Sequence, residues 1–397
     1  MKQVYRAFPC PVYEIGNVEG WLTDCAQEGL LLVEDGFFLG FAIFESSEPK
    51  SVRYRLLPVE KAGSLWDNDS GQPDEEQLEL SAQYGWEYVA KKKDFYVFRS
   101  FDPCAIEPNT DGFVAALALN TVKKRQRSAL CSSGFYLFVY PLLLTRFCPL
   151  LTTIVLGTPW TLLALALGLG MFLRELRAFR ELKRLQAELS EGVSFAPAAD
   201  WRKRRKLYLF GKALGLVLTV VLLWGFVRVR GHDIPLREYR GTLPFATIAD
   251  LAGEGCTDYA SSASVISDDF NRIEERRDLL APRFLTYNEH ATVRRADGQL
   301  MDGGLYVDYL ELRSPALAKE ALRELYRLER IRNRITPTEA PTLNADEVMA
   351  CNGILHTPSL FIRKGNIVVH ISFYQFSSGY SMPVEEWGKI LCESLPK

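Results

Sequence analysis

Residues 83–99, QYGWEYVAKKKDFYVFR, repeat the layout of residues 27–43, QEGLLLVEDGFFLGFAI. In each copy a glycine, Gly29 or Gly85, follows a helical stretch, where the residue just past a helix C-terminus prefers a left-handed backbone. A strand, a polar turn and an aromatic strand come next. Working outward, two β-α-β-β units emerge. In the first, VYRAF is a strand, residues 17–28 a helix, and LLLVE with FFLGFAIFE a hairpin turned at Asp35 and Gly36. In the second, SVRYRLLPV is a strand and residues 73–84 a helix, opening on Pro73 and acidic residues as helix N-termini favour. WEYVA and FYVFR then pair across Lys91–Asp94. The duplication predicts an α+β domain over residues 1–110, with the two units on one antiparallel sheet and the helices on one face. Phe41 and Phe98 are expected at equivalent places in a common core.

Charge divides the 397-residue chain into three. Lys plus Arg against Asp plus Glu run 10 to 20 over residues 1–122, 18 to 5 over 123–230, and 19 to 24 over 231–397. The basic middle also holds the apolar runs. From Ala129 to Leu173 the one charged residue is Arg146, and a membrane-spanning helix needs about 20 apolar residues. The run therefore predicts a two-helix hairpin within 123–173, with its tip at Arg146 and Pro149, since proline cannot continue a helix and charge is costly at mid-bilayer. A third span is expected over 207–228, LYLFGKALGLVLTVVLLWGFV, with Lys212 snorkelling from near one end.

The flanks set an orientation. Lys123, Lys124, Arg125 and Arg127 precede the first run; Arg174, Arg177, Arg180, Lys183 and Arg184 follow the second; RKRRK at 202–206 precedes the third. Basic residues on one side predict a cytosolic N-terminal domain in the cell membrane and an extracytoplasmic C-terminal domain. Arg228, Arg230, Arg237 and Arg240 just beyond the third run oppose that bias. The opening residues, MKQVYRAFPC, hold no apolar signal core. Over 174–206, Leu176, Phe179, Leu182, Leu185 and Leu189 form the stripe of an amphipathic helix continuing the second span, and GVSFAPAAD at 192–200 ends it. Packing on the N-terminal domain or its own bundle, a dimer seam, and a helix lying on anionic lipid are all open to this stripe.

The stretches EGWLTDCAQEGLLL, FFLGFAIFE with SEPKSVRYRLLPV, and QYGWEYVAKKKDFYVFR, followed by membrane helices, resemble the bacterial membrane family catalogued as domain of unknown function 2812. The resemblance covers about the first 105 residues and, more loosely, the spans. It implies a fold through aromatic and glycine positions, together with a gene neighbourhood of PadR-type transcriptional regulators, and it supplies no functional residues.

Beyond the spans, residues 231–265 read as a proline-bearing stalk and residues 266–397 as a second α+β domain. Strands are expected at 283–295 and 304–313, around the turn residues ADGQ and MDGG. A helix opens at Ser314 and Pro315 with a stripe through Leu317, Ala321, Leu325 and Leu328. SLFIR and IVVHISFYQF pair across Lys364, Gly365 and Asn366, and VEEWGKILCESL is a final helix.

No catalytic, cofactor or metal site is legible. His232, His290, His356 and His370 sit with Asp302, Asp308 and Cys351 in this last part, yet without metal-ligand spacing, and His370 is expected to alternate out of a half-buried strand. The eight cysteines form no CxxC. Serine-rich TDYASSASVISDD carries neither GxSxG nor SxxK, and no phosphate-cradling glycine loop exists. Gly168 and Gly170 in LALGLGMFL read as helix-packing positions, and RKRRK as a topology signal touching anionic lipid rather than nucleic acid. Two functions follow from two folded domains around few spans: a non-enzymatic sensory or regulatory protein joining an external domain to a cytosolic regulator, or an accessory subunit docking on a membrane permease or envelope assembly. An external hydrolase is a minor third, lacking the constellation it needs. The bilayer is the one partner common to all.

Overall fold

The computed structural model of the chain describes residues 3–38, 40–59, 72–107, 112–145, 148–191, 201–228, 233–260, 270–333, 335–353, 357–376 and 382–396. It forms two compact units, Met1–Phe138 with Ala166–Val220, and Val139–Leu165 with Val221–Lys397.

The first unit holds the repeat. Strand β1 (Gln3–Ala7), helix α1 (Ile15–Gln27), β2 (Leu30–Phe38) and β3 (Phe41–Ser46) make one copy. β4 (Arg53–Pro58), α2 (Glu75–Gln83), β5 (Glu87–Lys92) and β6 (Phe95–Ser100) make the other. Gly29 and Gly85 both take the expected left-handed conformation, φ 80° and 81°, and a Cβ on Gly29 would lie 2.7 Å from the Ser47 carbonyl oxygen.

The copies do not share a sheet. They form two antiparallel three-stranded sheets, ordered β1-β3-β2 and β4-β6-β5. β2 runs beside β5, but each is bulged, β2 between Leu32 and Phe37 and β5 between Tyr88 and Ala90. A bulge bends its strand and disrupts the ladder to its own hairpin partner, and β2 and β5 form no ladder with each other. The β2 bulge also corrects the first hairpin. Asp35, at φ 50°, lies within the strand, and the chain reverses at Gly40, φ 91°, because Phe38 pairs with Phe41.

Phe41 is accordingly 44% exposed. The true counterpart of Phe98 is Phe44, fourth in its strand as Phe98 is in β6, and both are fully buried. They enter different cores. Phe44 packs with Trp21, Leu22, Tyr54 and Leu56, whereas Phe98 packs with Trp86, Tyr96 and Ala105 under Leu78 of α2 on the opposite face of the second sheet. Helices thus cover both faces of that sheet.

Two long helices complete this core. α3 (Gly112–Gly134) contributes Ala116, Leu119 and Val122. A five-residue π turn, Phe135–Val139, and the short α4 (Tyr140–Leu144) follow it. Pro141 has no N–H for the carbonyl one turn back, and the π turn absorbs that mismatch. After α5 (Pro149–Leu156) and Gly157, α6 (Thr158–Ser190) runs 33 residues and buries Leu182 and Leu189, with Leu185 partly covered, in the N-terminal core. Of the readings open to the leucine stripe, packing on the N-terminal domain is the one observed. Gly168 admits α3's neighbouring Leu137, 3.0 Å from where a Cβ would stand, while Gly170 faces open space. α7 (Trp201–Arg228) begins with Trp201 donating to Asp24 Oδ2 at 3.0 Å.

Three separate spans are more than these helices show. Among the described residues, Arg205–Val227 alone is long and apolar enough to cross a membrane, and α5 with α6 qualifies only as a pair bent by 107°. The expected tip residue Arg146 lies outside the described residues, as do His232 and His356.

The second unit is built on a nine-stranded sheet ordered β12-β13-β14-β15-β11-β10-β9-β7, with β8 also on β10. In chain order these are β7 (Asp233–Pro235), β8 (Thr257–Ala260), β9 (Arg272–Arg276), β10 (Arg283–Arg294), β11 (Leu300–Glu311), β12 (Thr336–Thr338), β13 (Glu347–Asn352), β14 (Pro358–Lys364) and β15 (Ile367–Gln375). One face buries α8 (Ile248–Ala252) and α10 (Val384–Ser394), the latter through its Trp387, over Leu285, Val307 and Val369. The other buries α9 (Pro315–Asn333) over Leu310, Phe361 and Val368. Ser314 caps α9 as expected, accepting from Leu317 N at 3.3 Å.

Two expectations fail here. The stalk is no stalk: Ile234 and Leu236 pack against the core, and Phe245, Ile248 and Leu251 are buried in it. MDGG is not a turn but part of β11, where Gly303 and Gly304 let Tyr374 lie across the strand; a Cβ on Gly304 would stand 2.4 Å from the Tyr374 ring and 2.8 Å from His290.

Candidate functional site: a clamped helix pair and a polar sheet face

α5 has the sequence of a helix that cannot cap itself. Its N-cap is Cys148 and makes no side-chain cap bond, so the first N–H groups need an acceptor from elsewhere. Glu324, on α9, supplies it. Its two carboxylate oxygens accept from Leu150 N at 3.2 Å and Leu151 N at 2.8 Å, and Cys148 Sγ donates to the Glu324 carbonyl at 3.4 Å. Arg276 donates to the Val155 carbonyl at the other end of α5, 3.3 Å. Negative charge at the N-terminus and positive charge at the C-terminus both match the helix dipole. Leu151 and Ile154 then bury against Ala318, Ala321 and Leu322.

α6 starts in the same hands. Asp278 Oδ1 accepts from Thr158 N at 2.7 Å, and its Oδ2 accepts from the Thr158 hydroxyl. Residues more than a hundred positions downstream therefore hold both helix N-termini. Burial pushes the Glu324 carboxyl above its ordinary range, against the two N–H groups that favour its charged form.

On the α9 face of the sheet, beyond the helix, polar residues line up in cross-strand rungs. Asp233, Glu274, Thr286, Asp308, His370 and Phe361 stand directly opposite one another from β7 to β14. In the next rung Arg272 faces Asn288, which faces Tyr306, then Ser372 and Ser359. A third joins His290, Gly304 and Tyr374.

His370 does not alternate outward. It is buried and stacks on Phe361, centroids 4.4 Å apart and planes within 8°, because α9 covers this end of the face. Its Nδ1 lies 3.6 Å from Asp308 and its Nε2 3.4 Å from Ser372 Oγ. The order resembles a nucleophile relay, but Ser372 Oγ is engaged with Ser359 Oγ at 2.7 Å. Asp308 already accepts from Tyr306 and Thr286 at 2.7 and 3.0 Å. The cluster is therefore a polar seam within the sheet and presents no accessible nucleophile.

His290, one of the four histidines weighed in the sequence, stands in the third rung. It is buried, its Nε2 meets the Tyr374 hydroxyl, and its Nδ1 has no hydrogen-bond partner among the described residues. Burial holds it below the ordinary histidine range, hence neutral. Asp302 pairs with Thr292 instead, and Cys351 is buried in the α9 core. No group of three or more metal-ligating side chains converges among the described residues, and all eight cysteines are free thiols.

The N-terminal unit carries its own buried charge. Glu19 of α1 accepts from Leu56 N on the edge strand β4 at 2.8 Å and from Arg55 at 3.1 Å. Arg55 forks onto Glu107 with two contacts of 2.7 Å. Arg53 also reaches Glu107, and both arginines lie over the Trp86 ring. Burial pushes Glu19 up to about 7, while the arginines hold Glu107 below its ordinary value despite its partial burial.

Neither the curated proteins nor the solved structures gave a match to the chain. Residues 14–107, from the start of α1 through Glu107, match the model of the family described as Protein of unknown function (DUF2812).

Proposed function

We propose that this is a non-enzymatic bacterial membrane protein that relays the state of an extracytoplasmic C-terminal domain to the cytosolic DUF2812 domain and, through it, to a soluble regulator. In this reading the apolar runs from Ala129 to Leu173 and from Leu207 to Val227 supply three spans, and the three basic clusters keep the N-terminal domain inside.

One observation carries the proposal. α6 is a single helix whose first residue is held by Asp278 and whose last turns, through Leu182 and Leu189, are part of the N-terminal core. No proline or glycine interrupts it between Met171 and Leu189. A shift of the clamp is thereby passed along a helix to the domain at its other end.

Site-directed labelling in intact cells, on a cysteine-free background, tests the orientation. A reporter cysteine near residue 340 should react with an impermeant maleimide and one near residue 70 should not; the reverse pattern refutes it. For the relay, Asp278→Ala should alter protease sensitivity over 174–206 in the full chain, and an unchanged digest means that α6 transmits nothing.

A further inference from the structure

The two repeats end their hairpins side by side. In the first, Phe38 pairs with Phe41 and the chain reverses at Gly40; in the second, Lys92 pairs with Phe95 and the turn passes through Lys93, left-handed at φ 55°. β2 runs beside β5, and Lys92 Nζ lies 4.8 Å from the centre of the Phe8 ring and 5.0 Å from that of Phe37. One tip is aromatic and the other basic. Phe38 is 60% exposed and Phe41 44%.

Helix α7 brings a third cation to the same place. A Cβ on Gly40 would stand 3.7 Å from Lys212 Nζ, which itself lies 4.7 Å from the centre of the Tyr208 ring. Burial, together with the charges of Lys212 and Lys93, holds the Lys92 ammonium below the ordinary lysine range. Asp94, in the same turn, is engaged by Arg125 of α3 at 2.5 Å. Among the described residues no carboxylate pairs with Lys92, Lys93 or Lys212. Three ammonium groups brought together repel one another, and an anion between them removes that cost.

Depth decides which anion. Lys212 stands seven residues past Arg205 in the helix Arg205–Val227, which is long and apolar enough to cross a membrane, and that is about 10 Å along its axis. A lysine near the end of a span carries its ammonium to the headgroups, and the hairpin tip beside it lies at the same level. A free anion would meet the lysines and leave Phe38 and Phe41 in water, whereas a phospholipid supplies both a phosphate and acyl carbon. We propose that the two hairpin tips and Lys212 form a binding site for an anionic phospholipid of the cytosolic leaflet. Its phosphate sits between Lys92, Lys93 and Lys212, and the upper part of its acyl chains lies against Phe38 and Phe41. The site rests on the membrane reading proposed above.

The purified full chain in uncharged detergent is titrated with phosphatidylglycerol, with zwitterionic phosphatidylcholine, and with glycerol 1-phosphate as a headgroup without chains, and melting is followed. Phosphatidylglycerol should raise the melting temperature saturably and at lower concentration than phosphatidylcholine, and glycerol 1-phosphate should have no effect at matched concentration. A lysine near an anionic surface is worth about fivefold in affinity, so Lys93→Asn with Lys212→Gln should weaken phosphatidylglycerol about thirtyfold. Lys50→Gln, beyond Ser46 at the opposite end of β3 from the tip, should leave it unchanged. Phe38→Ser with Phe41→Ser should weaken both lipids alike. Unliganded melting reports whether each variant is folded. Equal affinity for the two lipids overturns the site, as does unchanged affinity in either folded pair of variants, or an equal loss in Lys50→Gln. Stabilisation by glycerol 1-phosphate as strong as by lipid overturns it too. Recovery of wild type in the membrane fraction of cells checks the span separately: a chain found there that fails the titrations refutes the site alone, and a chain absent from it refutes the span and the site together.

Discussion

Glu324 caps Leu151 across 173 positions of sequence, its carboxylate accepting the Leu151 N–H at 2.8 Å at the start of a helix whose own N-cap makes no side-chain bond. The C-terminal domain thus completes α5, a segment that the hydropathy pattern assigns to a membrane hairpin.

Glu324→Ala leaves two N–H groups without their acceptor, at a cost of about 1–3 kcal/mol for each that stays buried. Amide exchange over Leu150–Leu156 should accelerate accordingly, while the strands of the nine-stranded sheet keep their protection. Glu324→Gln preserves acceptor capacity at one oxygen and should fall between. Unaltered exchange in both would mean that Leu151 and Ile154 hold α5 by burial alone.

Gly304 sets the place of the His290–Tyr374 pair. A methyl group at 304 meets the Tyr374 ring at 2.4 Å, and overpacking of this kind costs about 1–3 kcal/mol. Gly304→Ala should lower the melting temperature, and Tyr374→Ala in the same chain should return most of the loss relative to Tyr374→Ala alone. Additive losses in that cycle would place the strain elsewhere.

These two glycines mark a limit of pattern reading. A pair of glycines after Asp302 carries the same local signal whether the chain turns or a side chain crosses it, and only the register of β11 with β15 separates the two. Asp35–Gly36 misleads in the same way, as a bulge in place of a turn. The β-α-β-β duplication, the left-handed Gly29 and Gly85, the Ser314 cap and the Leu182–Leu189 stripe were legible, because helix ends and apolar periodicity are local. The clamp was not: neither Glu324 nor Asp278 differs in sequence from any other surface carboxylate, and their partners lie more than a hundred residues away. The polar rungs were hidden likewise, since cross-strand neighbours are set by register and leave no mark in one strand.

Glu19 gives the N-terminal unit a pH dependence of defined sign. A buried carboxyl raised to about 7 binds its proton more tightly when folded than when unfolded, near 4.5. Its contribution to stability is fully present below the unfolded value and is lost as pH rises through the folded one. Glu19→Gln retains an acceptor for Leu56 N and cannot ionise. The melting difference, wild type minus variant, should therefore turn against wild type from pH 4.5 to 7, by up to a few kcal/mol. A flat difference would mean that Arg55 compensates the buried charge in full.

Leu182 decides whether the helix from the clamp is seated in the N-terminal domain by its apolar face. It is 1% exposed, in the same core as Trp21, Leu22 and Phe44, and Leu185 is partly covered beside it. Leu182→Asp exchanges a buried side chain worth about 2 kcal/mol of apolar burial for a carboxylate with nowhere to ionise, a loss of several kcal/mol. Arg184→Ala, on the exposed side of the same turn, removes one solvent-screened surface ion pair with Glu188 and should leave stability essentially unchanged. Protease cutting over 174–206 should rise sharply in Leu182→Asp and stay at the wild-type rate in Arg184→Ala, with capture of the soluble regulator proposed above lost only in the former. Capture lost in Leu182→Asp while cutting stays at the wild-type rate would show that the leucine face meets the partner directly. Equal digests together with equal capture would leave α6 without a role in the N-terminal core.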